Sequence, residues 1–160
     1  MEQGIVYIDI LIQSLEKKID VLDRIIAKNE EQKEILAMET MDEEAFLQNL
    51  SDKGDLIDEL NLLDEGFEEV FNRVKDELNG KREQYKDEIT RMQELISAIT
   101  DKSMTIRAGE ERNRVAAQKQ FEAMRGAVSH VKRSRNAATK YYSSMSNVNY
   151  VDAQFMDKRK

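Results

Sequence analysis

Residues 117–131, AQKQFEAMRGAVSHV, decide what the rest of the chain can be. Within them Ala117, Phe121, Met124, Val128 and Val131 are spaced by four, three, four and three, which places them along one side of a helix. Lys119, Arg125, His130, Lys132, Arg133 and Arg135 surround the stripe with cationic and polar groups. Apolar residues so arranged must be covered, either by this chain or by another protein. Which of the two holds depends on where the helix that carries them goes.

Working outward, the chain of 160 residues has the size of one ordinary domain. It lacks proline, cysteine and tryptophan, and 36% of it is charged. Such a profile belongs to long helices rather than sheets. No apolar run approaches the roughly 18 residues of a membrane span; Ile5 to Ile12 is already interrupted by Asp9. The N-terminus has neither the basic region nor the small-residue cleavage site of a signal peptide, so a cytoplasmic helical protein is expected. The charge is uneven. Residues 1–80 carry a net −14 and residues 81–160 a net +7. A fold that packs the two halves together gains complementarity from this, and a basic C-terminal surface could also meet an acidic partner.

Ile5, Ile8, Ile12, Leu15, Ile19, Leu22 and Ile26 step by three and four, a heptad seam that predicts a helix over about 4–38. Its later positions, Asn29 and Lys33, loosen it before Leu36. Thr40-Met41-Asp42-Glu43 offers a capping box for a second helix over about 42–79, with Phe46, Leu50, Ile57, Leu60, Phe67, Phe71, Val74 and Leu78 in phase. Leu56, Leu63 and Val70 widen its stripe enough to face two neighbours. Gly54 and Gly66 weaken this helix, and a kink is expected near Ser51–Asp55 if anywhere. Asn79-Gly80 is a stop signal.

The third helix begins near Arg82. Its seam runs Tyr85, Ile89, Met92, Leu95/Ile96, Ile99, Ser103 and Ile106, crosses a polar stretch at Glu110 and Asn113, and reaches Ala117 and Phe121 through a stutter. One reading continues this helix to about Tyr142. The fold class is then all-α, an elongated antiparallel three-helix bundle whose third helix overhangs the other two from about Gln118. The alternative breaks the helix at Asp101–Gly109 and makes a four-helix bundle. Residues 1–142 form the helical domain in the first reading, and 143–160 read as a flexible tail holding Tyr150, Val151, Phe155 and Met156.

Enzymatic chemistry has little to work with. The single histidine, His130, cannot supply a di-iron bundle or a zinc site, and the six glycines are scattered singly rather than gathered in a phosphate loop. Glu110 with Glu111, and Asp42 through Glu44, read as a solvated helix face and a first helical turn. No catalytic residue, metal or cofactor is expected. Residues 113–160 carry ten Lys and Arg against three Asp and Glu, but a sequence pI near 4.9 argues against nucleic acid.

Several stretches together resemble the flagellar export chaperones of the FlgN family. They are the Ile/Leu seam of the first helix, Lys53-Gly54-Asp55-Leu56-Ile57-Asp58-Glu59-Leu60, Met92-Gln93-Glu94-Leu95-Ile96, and Asn136-Ala137-Ala138-Thr139-Lys140-Tyr141-Tyr142. The ending Phe155-Met156-Asp157-Lys158-Arg159-Lys160 is similar to a Phe-Ile-Asp-Lys-Lys ending of that family, with Met156 in place of isoleucine. The resemblance implies a cytoplasmic type III secretion chaperone that holds the amphipathic C-terminal segments of hook–filament junction proteins and delivers them to the export gate. It places substrate binding on the C-terminal helical region, here Ala117, Phe121, Met124, Val128 and Val131. It also implies a gate-docking tyrosine nearby, with Tyr141, Tyr142, Tyr150 and Phe155 as the candidate docking residues. Partners are then the junction proteins and the gate, with no nucleic acid and no membrane insertion. A monomer awaiting its client is expected. The competing reading is a structural coiled coil that self-associates through the same stripe.

Overall fold

A computed structural model describes residues 2–124 and 129–145, with side chains placed for 4–124 and 132–145. The described chain is all-α, in four helices: α1 (Glu2–Ala37), α2 (Glu43–Gly80), α3 (Lys86–Ala123) and α4 (Ser129–Met145). α1 is the central rod, with α2 and α3 packed along it, and α4 lies against α2 and α3.

The seam of α1 is broader than one stripe because two helices share it. Ile8, Leu11, Leu15, Leu22, Ile25 and Leu36 are buried, while the expected seam residues Ile12, Ile19 and Ile26 are only partly covered. Ile5, at the head of the seam, is 51% exposed. On α2 every apolar residue of the predicted phase is buried, from Phe46 to Leu78. The helix runs unbroken through Gly54 and Gly66.

The start of α2 is set by Asp42. Its carboxylate accepts a hydrogen bond from the Ala45 amide at 3.1 Å, and Met41 and Phe46, at the positions of a hydrophobic staple, are both buried. Glu43 stands at the first helical position rather than the third, so the reciprocal half of the expected capping box has no residue to make it. Asp42→Ala should lower stability by about 1 kcal/mol in a denaturant titration, with Asp42→Asn nearly neutral. The helix ends at Gly80 as the stop signal indicates. The closing bond is the Lys81 amide to the Glu77 carbonyl at 3.0 Å, and Lys81 takes the cap conformation with φ −130° and ψ 42°.

α3 departs most from expectation. It crosses 101–109 without a break and keeps the predicted seam through the polar stretch, burying Ser103, Ile106, Glu110, Asn113, Ala117 and Phe121. Gly109 lets α1 come close there, since a Cβ at that position would lie 3.2 Å from Asn29 Nδ2. Asn113 Nδ2 donates to the Asn29 carbonyl at 3.0 Å across the same crossing. The helix does not run on to Tyr142, however, and among the described residues nothing overhangs. α3 ends at Ala123, where Gln120 Nε2 donates to the carbonyls of Leu36 at 2.9 Å and Met38 at 2.7 Å, tying its end to the α1–α2 connection. The four-helix alternative therefore describes the fold, but its break falls between Ala123 and Ser129 rather than at 101–109. α4 runs antiparallel to α3: Tyr141, late in α4, bonds Glu110, well before the end of α3.

Candidate functional site

Where α4 meets the other helices, the apolar core gives way to a layer of polar side chains. Lys53 of α2 is fully buried, and its ammonium lies 2.9 Å from Glu110 Oε1 of α3 and 3.3 Å from Gln32 Oε1 of α1. Gln32 Nε2 donates to Asn49 Oδ1 at 2.9 Å, and Asn49 Nδ2 donates to the Lys28 carbonyl at 2.9 Å. α4 enters this layer through two adjacent tyrosines. Tyr141 Oη donates to Glu110 Oε1 at 2.8 Å, and Tyr142 Oη donates to Gln32 Oε1 at 3.3 Å. The Lys53 ammonium also sits 4.4 Å from the centre of the Tyr141 ring, a cation–π distance. Glu110 is thus an internal group and not the solvated carboxylate expected from its neighbour Glu111, which is exposed and bound to Arg114.

Burial shapes the protonation of the layer. It pushes the Lys53 ammonium below the usual lysine range, and the Glu110 carboxylate opposes that shift. It pushes the Tyr142 phenol well above its usual range, with Glu110 adding to the effect. Among the described residues no group of three or more His, Cys, Asp or Glu is placed to hold a metal ion.

Beside the layer, on the outer side, α3 and α4 diverge around an open cleft of about 700 Å³. Ala117, Phe121, Ala138 and Tyr142 line it, and Arg114 and Arg135 stand at its edges. Small residues on both helices, Ala117 and Ala138, leave the space between the walls unfilled, and Thr139 is an exposed member of the lining.

The residues singled out in the sequence are thus only partly together. Ala117, Phe121 and Tyr142 share the cleft. Ala117 and Phe121 are also core residues, with the Phe121 ring edge-on to Phe46 at 5.9 Å between centroids. Met124 is half-buried against the core. Tyr141 lies beneath, in the polar layer. Val128, Tyr150, Phe155 and the side chain of Val131 lie outside the described residues. Periodicity did not single out Lys53, Gln32, Asn49 or Ala138, and it gave Arg135 only as one of several cations beside the stripe. An available signal for the first was its place in the α2 seam, where Leu50 and Ile57 flank it at three and four residues.

The fold and cleft together define a helical bundle that offers a shaped, mixed apolar and cationic groove, the arrangement of a protein-binding module. The family described as FlgN protein matches residues 1–149, and the chain belongs to that family of flagellar chaperones. No curated protein and no solved structure matches it. No helix among the described residues is long and apolar enough to cross a membrane.

Proposed function

We propose that the chain works in the cytoplasm as a type III secretion chaperone that holds the amphipathic C-terminal helical segment of hook–filament junction proteins and delivers it to the export gate. The observation that carries this reading is the cleft between α3 and α4, whose walls are the apolar Ala117, Phe121 and Ala138 and the half-buried Tyr142, between Arg114 and Arg135. A client helix seated there would cover Phe121 and Tyr142 with its apolar face and place acidic flanking residues near the arginines. Met124, Val128 and Val131 would extend the same contact beyond Phe121. Binding of this kind needs no cofactor and no bond chemistry.

The gate would be met by the tyrosine-bearing C-terminal region, Tyr141, Tyr142, Tyr150 and Phe155. Of the first two, Tyr142 lines the cleft with its hydroxyl on Gln32, while Tyr141 is buried and engaged with Glu110. Docking through Tyr142 therefore fits the closed bundle, and docking through Tyr141 requires α4 to lift.

Thr139→Trp tests the cleft without removing a core contact, because Thr139 is exposed and the indole would fill the groove. A pull-down from the native cell, read by mass spectrometry, should recover junction proteins with the parent chain. It should lose them by about tenfold or more with the variant, at an unchanged melting temperature. Equal recovery with both chains, or recovery of no junction protein, would overturn the reading. Sedimentation of the free chain should show a concentration-independent monomer.

A further inference from the structure

A second groove opens toward the other end of the bundle. It lies between the first half of α1 and the second half of α2, has a volume of about 240 Å³, and is lined by Ile10, Leu11, Leu63, Phe67 and Val70 with Gly66 at its lip. Three large apolar residues stand open beside it: Leu62 is 68% exposed, Val6 55% and Ile10 40%. α4 covers none of this, since it docks near Lys53 and Glu110, on the faces of α2 and α3.

The charges on the α2 side of the groove are mostly of one sign. α2 carries twelve carboxylates against three cations, and one of the three, Lys53, is internal. Asp55, Glu59, Leu62, Gly66, Glu69, Arg73 and Asp76 step by four and three along the exposed side of α2, with Asp58 and Glu65 beside them. Arg73 is held by Glu69 at 3.1 Å, so it leaves the ridge acidic. Lys17 of α1 lines the groove as the one cation on that helix's side.

Gly66 points the same way. A glycine in a helix interior is unfavourable relative to alanine, and here nothing within 4 Å of its missing Cβ demands it. Its bare backbone instead allows another helix to come close at the lip of the groove.

We propose that this groove receives an amphipathic helix of a partner protein that carries lysine or arginine along the flank of its apolar face. Leu62, Ile10 and Val6 supply the apolar contact, Gly66 the close approach, and the α2 ridge the charge that selects a basic flank. The site is separate from the α3–α4 cleft, whose lining carries Arg114 and Arg135 with one carboxylate, Glu122. The chain then binds two kinds of helix, of different flanking charge, at two separate sites.

The test uses the full chain and a labelled synthetic amphipathic peptide with leucines on one face and lysines flanking them, read by fluorescence anisotropy. Its companion has glutamate in place of each lysine. The lysine peptide should bind, weaken as salt is raised, and lose about tenfold or more in affinity with Leu62→Arg or with Gly66→Leu. Thr139→Trp should leave its binding unchanged, and the glutamate peptide should not bind at this site. Equal binding of both peptides, or binding indifferent to Leu62→Arg and Gly66→Leu, would overturn the proposal. So would a dimer in sedimentation that Leu62→Arg dissociates, which would make a second copy the occupant. A rise of about tenfold in peptide affinity on removing residues 146–160 would identify the chain's own end as the occupant, with the same consequence.

Discussion

Glu110→Ala should lower the stability of the free protein by about 3–5 kcal/mol, more than most single substitutions. The reason lies in Lys53. Its ammonium is fully buried and is held by the Glu110 carboxylate at 2.9 Å, with Gln32 Oε1 farther off at 3.3 Å. Removing the carboxylate leaves a cation in the interior with one neutral acceptor and a tyrosine ring. The same substitution takes away the acceptor of the Tyr141 hydroxyl, so the effect spreads into α4. Changing both partners, Lys53→Met with Glu110→Leu, should be much less damaging than Glu110→Ala alone, because no unpaired charge remains. Urea titration of the two variants and the parent decides the matter. A loss below about 1 kcal/mol for Glu110→Ala would mean that Lys53 reaches water in solution, and that α4 does not close over it.

Phe121→Ala is the second large effect, and it separates two geometries. On an overhanging helix the ring would be bare and its removal nearly neutral. In the bundle Phe121 is buried and its ring meets Phe46 edge-on at 5.9 Å, with Phe46 itself fully enclosed. The expected loss is about 3–5 kcal/mol. Phe46→Ala should cost about as much, and the double variant should cost less than the sum, since each single change already opens the cavity the other would share. Thermal melts of the three variants give the comparison. An additive pair would show that the two rings do not touch. The burial also means that Phe121→Ala cannot serve as a clean probe of client binding, which is why Thr139 carries that test.

How far the sequence reached depends on what periodicity encodes. The seams of α2 and α3 were legible residue by residue, down to Glu110 and Asn113, because a helix that packs along another must keep its inward positions in step. The same spacing says which side of a helix is inward and nothing about what stands opposite. Glu110 was therefore placed correctly on its seam and still taken for a solvated group, since its partner Lys53 lies in another helix, 57 residues away. The position of the fold-back was missed for a related reason. Apolar spacing from Ala117 to Val131 continues as if one helix carried it, although α3 ends at Ala123 and α4 begins at Ser129. The one local hint is Gly126, which weakens a helix interior by about 1 kcal/mol relative to alanine, too little by itself to force a break. The decisive constraint, Gln120 fastened to the carbonyls of Leu36 and Met38, is tertiary. The cleft was legible only in part, because its second wall, with Ala138 and Arg135, exists only once α4 has turned back.

The polar layer also sets an order of assembly. During synthesis Lys53 leaves the ribosome 57 residues ahead of Glu110, and the tyrosines that close the layer come later still. Through that interval α1 and α2 can zip together on their apolar seams while the ammonium stays hydrated on their open side. Its transfer out of water is deferred until the carboxylate arrives. An interaction that forms after the rate-limiting step acts on unfolding rather than folding, so Glu110→Ala is expected to change chiefly the unfolding rate, which stopped-flow measurement would read.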